Sequence, residues 1–407
     1  MSVAAVNALT ARWAGTVREG EGTVLSGAGA YPLLALLSRY AAGVARTELV
    51  AVAGSPFPAL DSPEIRLAVA AWLRDEVPPS PQWLALPESL RGRLTGDPAT
   101  DQAALDRWAA ANTGDLIRKL PAQVIDETMM ILASALSVVT TWRWPFTERP
   151  CNPTSGPWQG RSLLGLGRDR FDPAGLRVVE TRAGIVTLLS VPGAEDVDVV
   201  LALGPADQPA GRVLPAAIGA LPALAAAVRA AAADSAGAAD SEGGTDTAAD
   251  SAGGTDSDGV AVTVRPVADG PGVTVRRVRA YDDRPELTVL TVAFSVQGEH
   301  DLLERADLFG LAAATDRSQG HFPGISAQPL AVSQARQSAM ATFGAVGFKA
   351  AAVTALGMVA AGAIRQPSVE KELTTVCIDR PFGFLAVHRA TGLVLVAGWV
   401  TDPDPYR

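Results

Sequence analysis

The spacing of apolar residues predicts mainly helices in the early part of the chain. Residues 24–43 carry an apolar face broad enough for a buried helix, formed by Leu33, Leu34, Leu36, Leu37 and Tyr40. Residues 104–120 have an amphipathic helical pattern that is broken near Thr113 and Gly114. Residues 127–142 form one long apolar run with β-branched residues at its end, which is typical of a central strand buried on both faces.

Strands dominate the later pattern. It predicts strands over 176–191 and 197–204 and then a helix over 213–231. Further on it predicts strands and a short helix, and the strands cover residues 260–264, 273–281, 287–296, 374–388 and 392–400. Because helices come first and strands later, instead of alternating, the order favours an α+β fold over a parallel βαβ fold.

A polar, acidic repeat interrupts this pattern at residues 231–259. The unit AADSEGGTDT at 238–247 recurs as AADSAGGTDS at 248–257, and seven acidic side chains give the segment −7 of the net charge of −9. Such a segment buries too little apolar surface to offset its ordering entropy. It therefore predicts a flexible, solvated surface insertion inside a single domain of residues 1–407, with an acidic interaction tail as the alternative.

Composition excludes several classes of protein. With 48% hydrophobic and 19% charged residues in 407, the chain can bury a sizeable core and is not disordered throughout. Two cysteines, Cys151 and Cys377, allow at most one disulfide, and 3 scattered histidines lack the spacing of a zinc site. The 34 basic residues against 43 acidic ones disfavour nucleic-acid binding. We therefore expect no metal, no cofactor and no nucleic-acid partner.

The sequence also lacks recognisable targeting and catalytic motifs. Its first residues have no basic leader followed by a clean apolar core, and the longest uncharged apolar run, 350–364, is too short to span a bilayer. These features predict a soluble, cytoplasmic protein without a membrane partner, with secretion by a non-standard route as the alternative. Neither a nucleophile elbow nor a phosphate loop is present, so we predict no catalytic residue and no enzyme.

Residues 322–359 and 378–403 carry the patterns that point to a family. The first stretch begins with FPGIS and runs through a strand to Gly347 and an alanine-rich tract, and the second contains DRPFGF and ends in GWVTDP. Both resemble elements of the serpins, the serine protease inhibitor superfamily, and residues 24–54 and 104–146 are similar to earlier serpin segments. The resemblance implies a monomeric, bacterial member with a divergent hinge. It also implies a serpin-like α+β fold with three β-sheets, eight or nine helices and an exposed reactive-centre loop at 347–370.

In inhibitory serpins this loop is bait for a serine protease, or sometimes a cysteine protease, which is the partner that the resemblance implies. The protease cuts the loop and forms an acyl-enzyme, and the cut loop enters the large sheet as a new strand that drags the protease along. An inserting segment needs small or apolar residues, few charges and no proline. The implied hinge segment comprises Gly347, Phe348, Lys349, Ala350, Ala351, Ala352, Val353 and Thr354.

Alternation would place Ala350, Ala352 and Thr354 on one face of such a strand. Taken alone, the alanine-rich tract favours a buried helix, because alanine is the best helix former, but the flanking resemblance favours the loop. Phe348 stands where inhibitory members carry a small residue, so its ring would slow or block insertion, and Lys349 replaces the usual acidic residue. The residues that match the family's sheet-opening region are Gly29, Ser134, Gln337 and Trp142.

The loop is longer than usual, which leaves two candidate scissile bonds. Counting from the hinge reaches Ala361 and Gly362, which suit an elastase- or subtilisin-like protease, whereas Arg365 and Gln366 suit a trypsin-like one. Three functions stay open on the sequence. They are an inhibitory serpin, a non-inhibitory serpin-fold binding or scaffold protein, and a recruited biosynthetic enzyme.

Overall fold

The computed structural model describes most of the chain, namely residues 2–18, 20–120, 123–237, 254–255, 261–280, 282, 286–348 and 369–407. Within these residues seven α-helices occur, whereas the family resemblance implied eight or nine. They are α1 (Ser2–Ala14), α2 (Gly27–Tyr40), α3 (Gly43–Ala53), α4 (Pro81–Leu84), α5 (Pro98–Thr113), α6 (Ala210–Gly237) and α7 (Ala306–Phe309). No helix of the described residues is both long and apolar enough to cross a membrane.

Short-range signals set the ends of the helices that frame the site. The Ser26 hydroxyl accepts a hydrogen bond from the Gly29 amide at the start of α2, and the Asp97 carboxylate accepts one from the Thr100 amide at the start of α5. Gly114, at φ +64°, ends α5 in the left-handed conformation that glycine adopts at little cost. The interruption predicted near Thr113 and Gly114 is therefore the end of the helix.

Helix α6 is longer than the sequence pattern predicted. It extends from Ala210 to Gly237 and so includes the first residues of the polar segment 231–259. Of the rest of that segment, the structure describes only Gly254 and Thr255, which form a short strand. The predicted flexibility of the acidic repeat otherwise concerns residues outside the described part of the chain, and it stays a prediction.

Twenty strands occur in the described residues. In chain order they are β1 (Thr23–Leu25), β2 (Ile65–Arg74), β3 (Arg91–Leu94), β4 (Met130–Val138), β5 (Thr140–Thr141), β6 (Thr147–Cys151), β7 (Leu163–Phe171), β8 (Leu176–Thr181), β9 (Gly184–Pro192), β10 (Val197–Leu203), β11 (Gly254–Thr255), β12 (Ala261–Arg265), β13 (Val273–Ala280), β14 (Glu286–Val292), β15 (Phe294–Asp301), β16 (Arg336–Phe343), β17 (Gly347–Phe348), β18 (Val369–Cys377), β19 (Phe382–His388) and β20 (Leu393–Val400).

The largest sheet forms the centre of the molecule. Its order is β1-β20-β19-β10-β9-β8-β12-β11, and every pair in it is antiparallel. All residues of β19 and β20 are buried, because α1, α2 and α6 pack against these strands. A second sheet has the order β13-β18-β14-β7-β6.

The other two sheets are halves of one split sheet. The three-stranded half has the order β3-β2-β4, and the four-stranded half has the order β15-β16-β17-β5. Strands β4 and β5 are successive parts of the same chain segment, separated only by Val139. The halves therefore join at one end, beside Val139, and part along the length of β4.

The run at residues 127–142 forms β4 and β5, but the expectation of a strand buried on both faces is wrong. Burial alternates along β4, where Ile131, Ala133 and Ala135 are buried and their neighbours are half-buried. Residues Leu105 and Ala109 of α5 share a small core with Ile131 and Ala133, which explains the buried face. The strand lies at the edge of its half-sheet, so the other residues border an opening.

Candidate functional site

A cleft separates the two halves of the split sheet. Strand β4 forms one wall through Ser134–Val138, and strand β16 forms the other through Gln337–Thr342. About 710 Å³ of space, part of it open to solvent, lies between these walls, and the α5–β4 connection borders it at Leu116 and Ile117. All side chains that line it in the described part of the chain are neutral, and several are small. Such walls suit an apolar or uncharged occupant.

Strand β17 occupies one end of this cleft. Gly347 pairs with Thr141, and Phe348 pairs with both Thr140 and Phe343, in each case antiparallel. The chain therefore leaves β16, turns, and re-enters the sheet between β5 and β16. A strand continuing from Phe348 in the same direction would run down the cleft with β4 on one side and β16 on the other.

The turn before β17 is held by hydrogen bonds from the residues that follow β5. The Trp142 indole Nε1 donates to the Gly344 carbonyl at 2.8 Å, and the Trp142 amide donates to the Val346 carbonyl at 2.9 Å. The Phe146 amide donates to the Ala345 carbonyl at 2.8 Å. Trp142 and Phe146 are both buried and pack on Phe343. These contacts fix the point at which the chain enters the cleft.

Close packing explains the residues that follow the turn. A Cβ on Gly347 would lie 2.4 Å from the Thr140 carbonyl oxygen, so only glycine permits this approach between the strands. The Phe348 side chain is only 2% exposed and joins the main hydrophobic core, with its ring centroid 6.1 Å from that of Phe384 on β19. The ring that the sequence suggested as an obstacle to insertion already lies inside the sheet.

A polar cluster lies further down the cleft. The Gln337 side chain accepts a hydrogen bond from the Ser26 amide at 2.8 Å and donates one to the Ser26 carbonyl at 2.9 Å. The Ser26 hydroxyl in turn donates to the Leu395 carbonyl of β20. A Cβ on Gly29 would lie 3.2 Å from Gln337 Nε2, so this glycine leaves room for the amide. Gln337 thus ties β16 to the start of α2 and to the central sheet.

The structure brings together three of the four residues predicted for sheet opening. Gly29, Ser134 and Gln337 all line the cleft, whereas Trp142 lies at the end where β17 enters. Sequence reasoning missed Ser26, although its position before a helical run marks it as a helix cap. The remaining hinge and scissile candidates lie outside the described residues, namely Lys349, Ala350, Ala351, Ala352, Val353, Thr354, Ala361, Gly362, Arg365 and Gln366.

Titratable groups elsewhere offer little nucleophilic or metal-binding chemistry. Burial raises the pKa of the Cys377 thiol to about 11 and also raises the pKa of Cys151, which keeps both thiols protonated at neutral pH. The described residues contain no group of three or more His, Cys, Asp or Glu side chains arranged to hold a metal ion. The feature that distinguishes the site is therefore the shape of the cleft.

The end of the chain matches a known family. Residues 282–403, which include β16, β17 and the final hairpin, match the sequence model of the family described as Serpin (serine protease inhibitor). Over these residues the chain is similar to the serpin family. The resemblance noted in the sequence is thereby confirmed, while the expected bacterial origin stays a prediction. No curated protein matches the sequence significantly.

Solved serpin structures share the fold of the whole chain. The thermophilic serpin tengpin in its native state is 14% identical with a TM-score of 0.68, and the match covers 98% of this chain and 93% of tengpin. Human thyroxine-binding globulin in complex with its hormone is 16% identical with a TM-score of 0.63 and coverage of 99% and 98%. Serpin48 of the insect Tenebrio molitor is 15% identical with a TM-score of 0.64 and coverage of 98% and 97%. These identities are low, so the structures establish the serpin fold of this chain.

Proposed function

We propose that this serpin is a one-use inhibitor of serine proteases that traps its target by loop cleavage and strand insertion. The observation that carries the proposal is the cleft between β4 and β16, one end of which already holds the single strand β17. In this proposal the chain between β17 and β18 is the reactive loop. Its cut end would extend β17 down the cleft and pair with both walls.

The register of β17 fixes how such a strand would pair. Phe348 lies opposite Thr140 and Phe343, so continuing the register brings residue 352 opposite Leu136 and Ala339. Residue 354 would then lie opposite Ser134 and Gln337. Because Phe348 faces the core, alternation would turn Ala350, Ala352 and Thr354 inward as well. Small neutral side chains at these positions match the neutral walls of the cleft.

Insertion would change stability strongly. A strand added between two existing strands gains two ladders of backbone hydrogen bonds and buries the space of the cleft. The uncut form would therefore be metastable and persist because its conversion is slow. A protease bound as an acyl-enzyme to the cut end would be carried along during insertion. The target would be either an elastase- or subtilisin-like protease that cuts at Ala361–Gly362 or a trypsin-like protease that cuts at Arg365–Gln366.

A non-inhibitory binding function is the second candidate, and the burial of Phe348 favours it. The Phe348 ring holds β17 in the core. The sheet is therefore already closed at the end of the cleft where insertion would begin. If insertion begins too late, the protease is released before its active site is distorted. Thyroxine-binding globulin, which has the same fold, was solved with a bound hormone.

Limited proteolysis followed by thermal unfolding tests both candidates. The protein is nicked with elastase-, subtilisin- and trypsin-type proteases, the cut is located by mass spectrometry, and the melting temperatures before and after cutting are compared. We expect a gain of tens of degrees and a protease complex that survives denaturing electrophoresis. A gain without a complex supports the non-inhibitory candidate, and the absence of any gain contradicts strand insertion.

A matched pair of variants sharpens this experiment. The Ala352→Arg substitution would place a charge on the inward face, between Leu136 and Ala339, and should abolish the gain in melting temperature. The Ala351→Arg control would face outward, opposite Ser137 and the half-exposed Met340, and should keep most of the gain. Equal behaviour of the two variants would contradict the proposed register.

A further inference from the structure

Strand β7 contains a bulge near its end. Two of its residues, Asp169 and Arg170, lie opposite a single residue of β14. Arg170 has φ +56°, a left-handed conformation that costs free energy in a residue with a side chain. One extra residue shifts the alternation of side chains between the two faces of a strand. Arg168 and Phe171 therefore share one face, whereas three positions along a regular strand would put them on opposite faces.

The shared face lets the Arg168 guanidinium stack against two rings. Its Cζ lies 4.4 Å from the centroid of the Phe171 ring and 5.0 Å from that of the Trp144 ring. Phe171 is buried, whereas Trp144 is 42% exposed. Arg168 also donates a hydrogen bond from Nη1 to the Trp144 carbonyl at 3.2 Å. Because guanidiniums are attracted to aromatic faces, these contacts hold Arg168 in one orientation.

The Arg143 guanidinium stacks on the same indole. Its Cζ lies 4.6 Å from the centroid of the Trp144 ring. Arg143 and Trp144 are both exposed, so one side of this assembly faces solvent. We call Arg143, Trp144 and Arg168 the arginine–tryptophan surface. Stacking uses the flat faces of the guanidiniums and leaves most of their N–H groups, which point outward in the guanidinium plane, available as donors.

The two guanidiniums form no ion pair with a carboxylate in the part of the chain that the structure describes. The acidic residues closest to Arg168 in sequence have other partners. Asp169 accepts a hydrogen bond from the Thr288 hydroxyl, and Asp172 accepts one from the Ala174 amide. Burial lowers the pKa of Arg168, and Asp172 offsets only part of this effect. A partly buried guanidinium without a counter-ion favours the binding of an anion.

We propose that the arginine–tryptophan surface binds an acidic segment of a partner protein, with a carboxylate on the guanidiniums and an apolar side chain on the indole. Carboxylates match the fork of N–H groups that a guanidinium presents, and Trp and Arg are enriched among the residues that contribute most to protein interfaces. A free inorganic anion would leave the exposed indole unused. The net charge of −9 disfavours a long polyanion such as nucleic acid. The inference goes beyond the proposed inhibition and does not depend on strand insertion.

Binding of an acidic peptide tests the proposal. The probe is a fluorescein-labelled six-residue peptide in which glutamate alternates with leucine, and its twin carries glutamine in place of glutamate. Fluorescence anisotropy measures both dissociation constants with the full chain at low ionic strength. We expect the glutamate peptide to bind at least tenfold more tightly than its twin, and to lose at least tenfold in affinity in the Trp144→Ala and Arg168→Gln variants. The Arg168→Lys variant keeps the charge without the planar fork and should lose at least fivefold.

The Arg276→Gln variant is the matched control. Arg276 is also exposed and belongs to the same five-stranded sheet, but it stacks on no ring and forms no ion pair among the described residues. Its substitution should leave the affinity unchanged. Equal losses in Arg276→Gln and Arg168→Gln would show only a general attraction between charges and would overturn the proposal, as would equal binding of the two peptides. Because Arg168 is half-buried, the exposed substitutions Arg143→Gln and Trp144→Ala decide the result if Arg168→Gln does not fold.

Three further measurements distinguish other occupants of the surface. Displacement of the peptide by sodium sulfate, but not by sodium chloride at the same ionic strength, would mean that the surface takes a free anion. A dimer in sedimentation that Trp144→Ala dissociates would mean that a second copy of the chain covers it. A tenfold gain in affinity when the seven acidic residues of 231–259 are changed to amides in the full chain would mean that the acidic repeat fills it. Each of these results would overturn the assignment to a partner protein.

Discussion

The ring of Phe348 anchors the chain at the entrance to the cleft. It lies in the hydrophobic core near Phe384, while its backbone pairs with Thr140 and Phe343. A small residue at this position would leave a cavity and release the ring's hold on β17. The same side chain that departs from the family pattern therefore contributes to the stability of the uncut form.

The Phe348→Ala substitution should lower the free energy of unfolding of the uncut protein by about 3–5 kcal/mol, because it removes a fully buried ring. The Phe348→Leu control keeps most of the apolar volume and should cost less than about 1.5 kcal/mol. Denaturant titration of the uncut forms measures both values. An effect of Phe348→Ala below about 1 kcal/mol would show that the ring is not anchored in the core.

His300 on β15 should make stability depend on pH. Its Nε2 lies 2.9 Å from the Val24 carbonyl and 3.2 Å from the Thr23 hydroxyl, and its ring meets the edge of Trp13. Burial is the main cause that lowers its pKa, and Arg305 lowers it further, although the Val24 bond, Glu21 and Glu304 act in the opposite direction.

The sign of the effect follows from this lowered pKa. Above the ordinary histidine pKa of about 6.5 the side chain is neutral in the folded and unfolded states, so its full contribution to stability is present. As pH falls below that value, the unfolded chain binds a proton that the folded protein resists. We expect the melting temperature to fall between pH 7.5 and 5.5, and to fall less in the His300→Gln variant. Parallel pH profiles for the two proteins would contradict this assignment.

The side-chain amide of Gln337 joins β16 to the start of α2 in the polar cluster of the cleft. Gln337 makes paired hydrogen bonds with the Ser26 backbone, and both residues are buried. Gln334, three residues earlier, makes the same paired contact with the backbone of Gln123, but on the surface. The chain therefore offers a buried and an exposed copy of one interaction.

The Gln337→Ala substitution should lower the free energy of unfolding by about 2 kcal/mol, because it leaves the buried Ser26 amide without a partner, while the Ser26 carbonyl keeps its hydrogen bond from the Ala30 amide. The Gln334→Ala control should cost less than about 0.5 kcal/mol, since water replaces the lost contacts. Denaturant titration of both variants checks the difference. Equal decreases in the free energy of unfolding would mean that water also reaches Ser26 once the Gln337 side chain is removed.

Prediction of the elements from the sequence succeeded where one periodic pattern covers one strand or helix. The closing strand β20 and the helix α2 lie where the apolar patterns placed them, whereas the single strand predicted over 374–388 is divided between β18 and β19, which belong to different sheets. The burial of β4 was predicted incorrectly, because a continuous apolar run does not tell which face another element covers. Its outer face is covered by α5, which is folded onto it from elsewhere in the chain.

The molecule as a whole is held together by contacts between distant parts of the chain. The Glu64 carboxylate, just before β2, accepts hydrogen bonds from the Asp196 and Val197 amides and so joins the split sheet to the central sheet. The Asn7 side chain in α1 bonds the Gly392 carbonyl and the Val394 amide near the end of the chain. These links tie early elements of the chain to the central sheet.

The sequence by itself determined the resemblance to serpins and the α+β class, because these depend on local patterns and on motifs of a few adjacent residues. Tertiary structure decided the rest. The burial of Phe348, the bonding of Gln337 to Ser26 across 311 positions, and the pairing of β13 with β18 all join residues that are far apart in the chain. Which distant strands become neighbours depends on the packing of the whole core, and no local pattern encodes it.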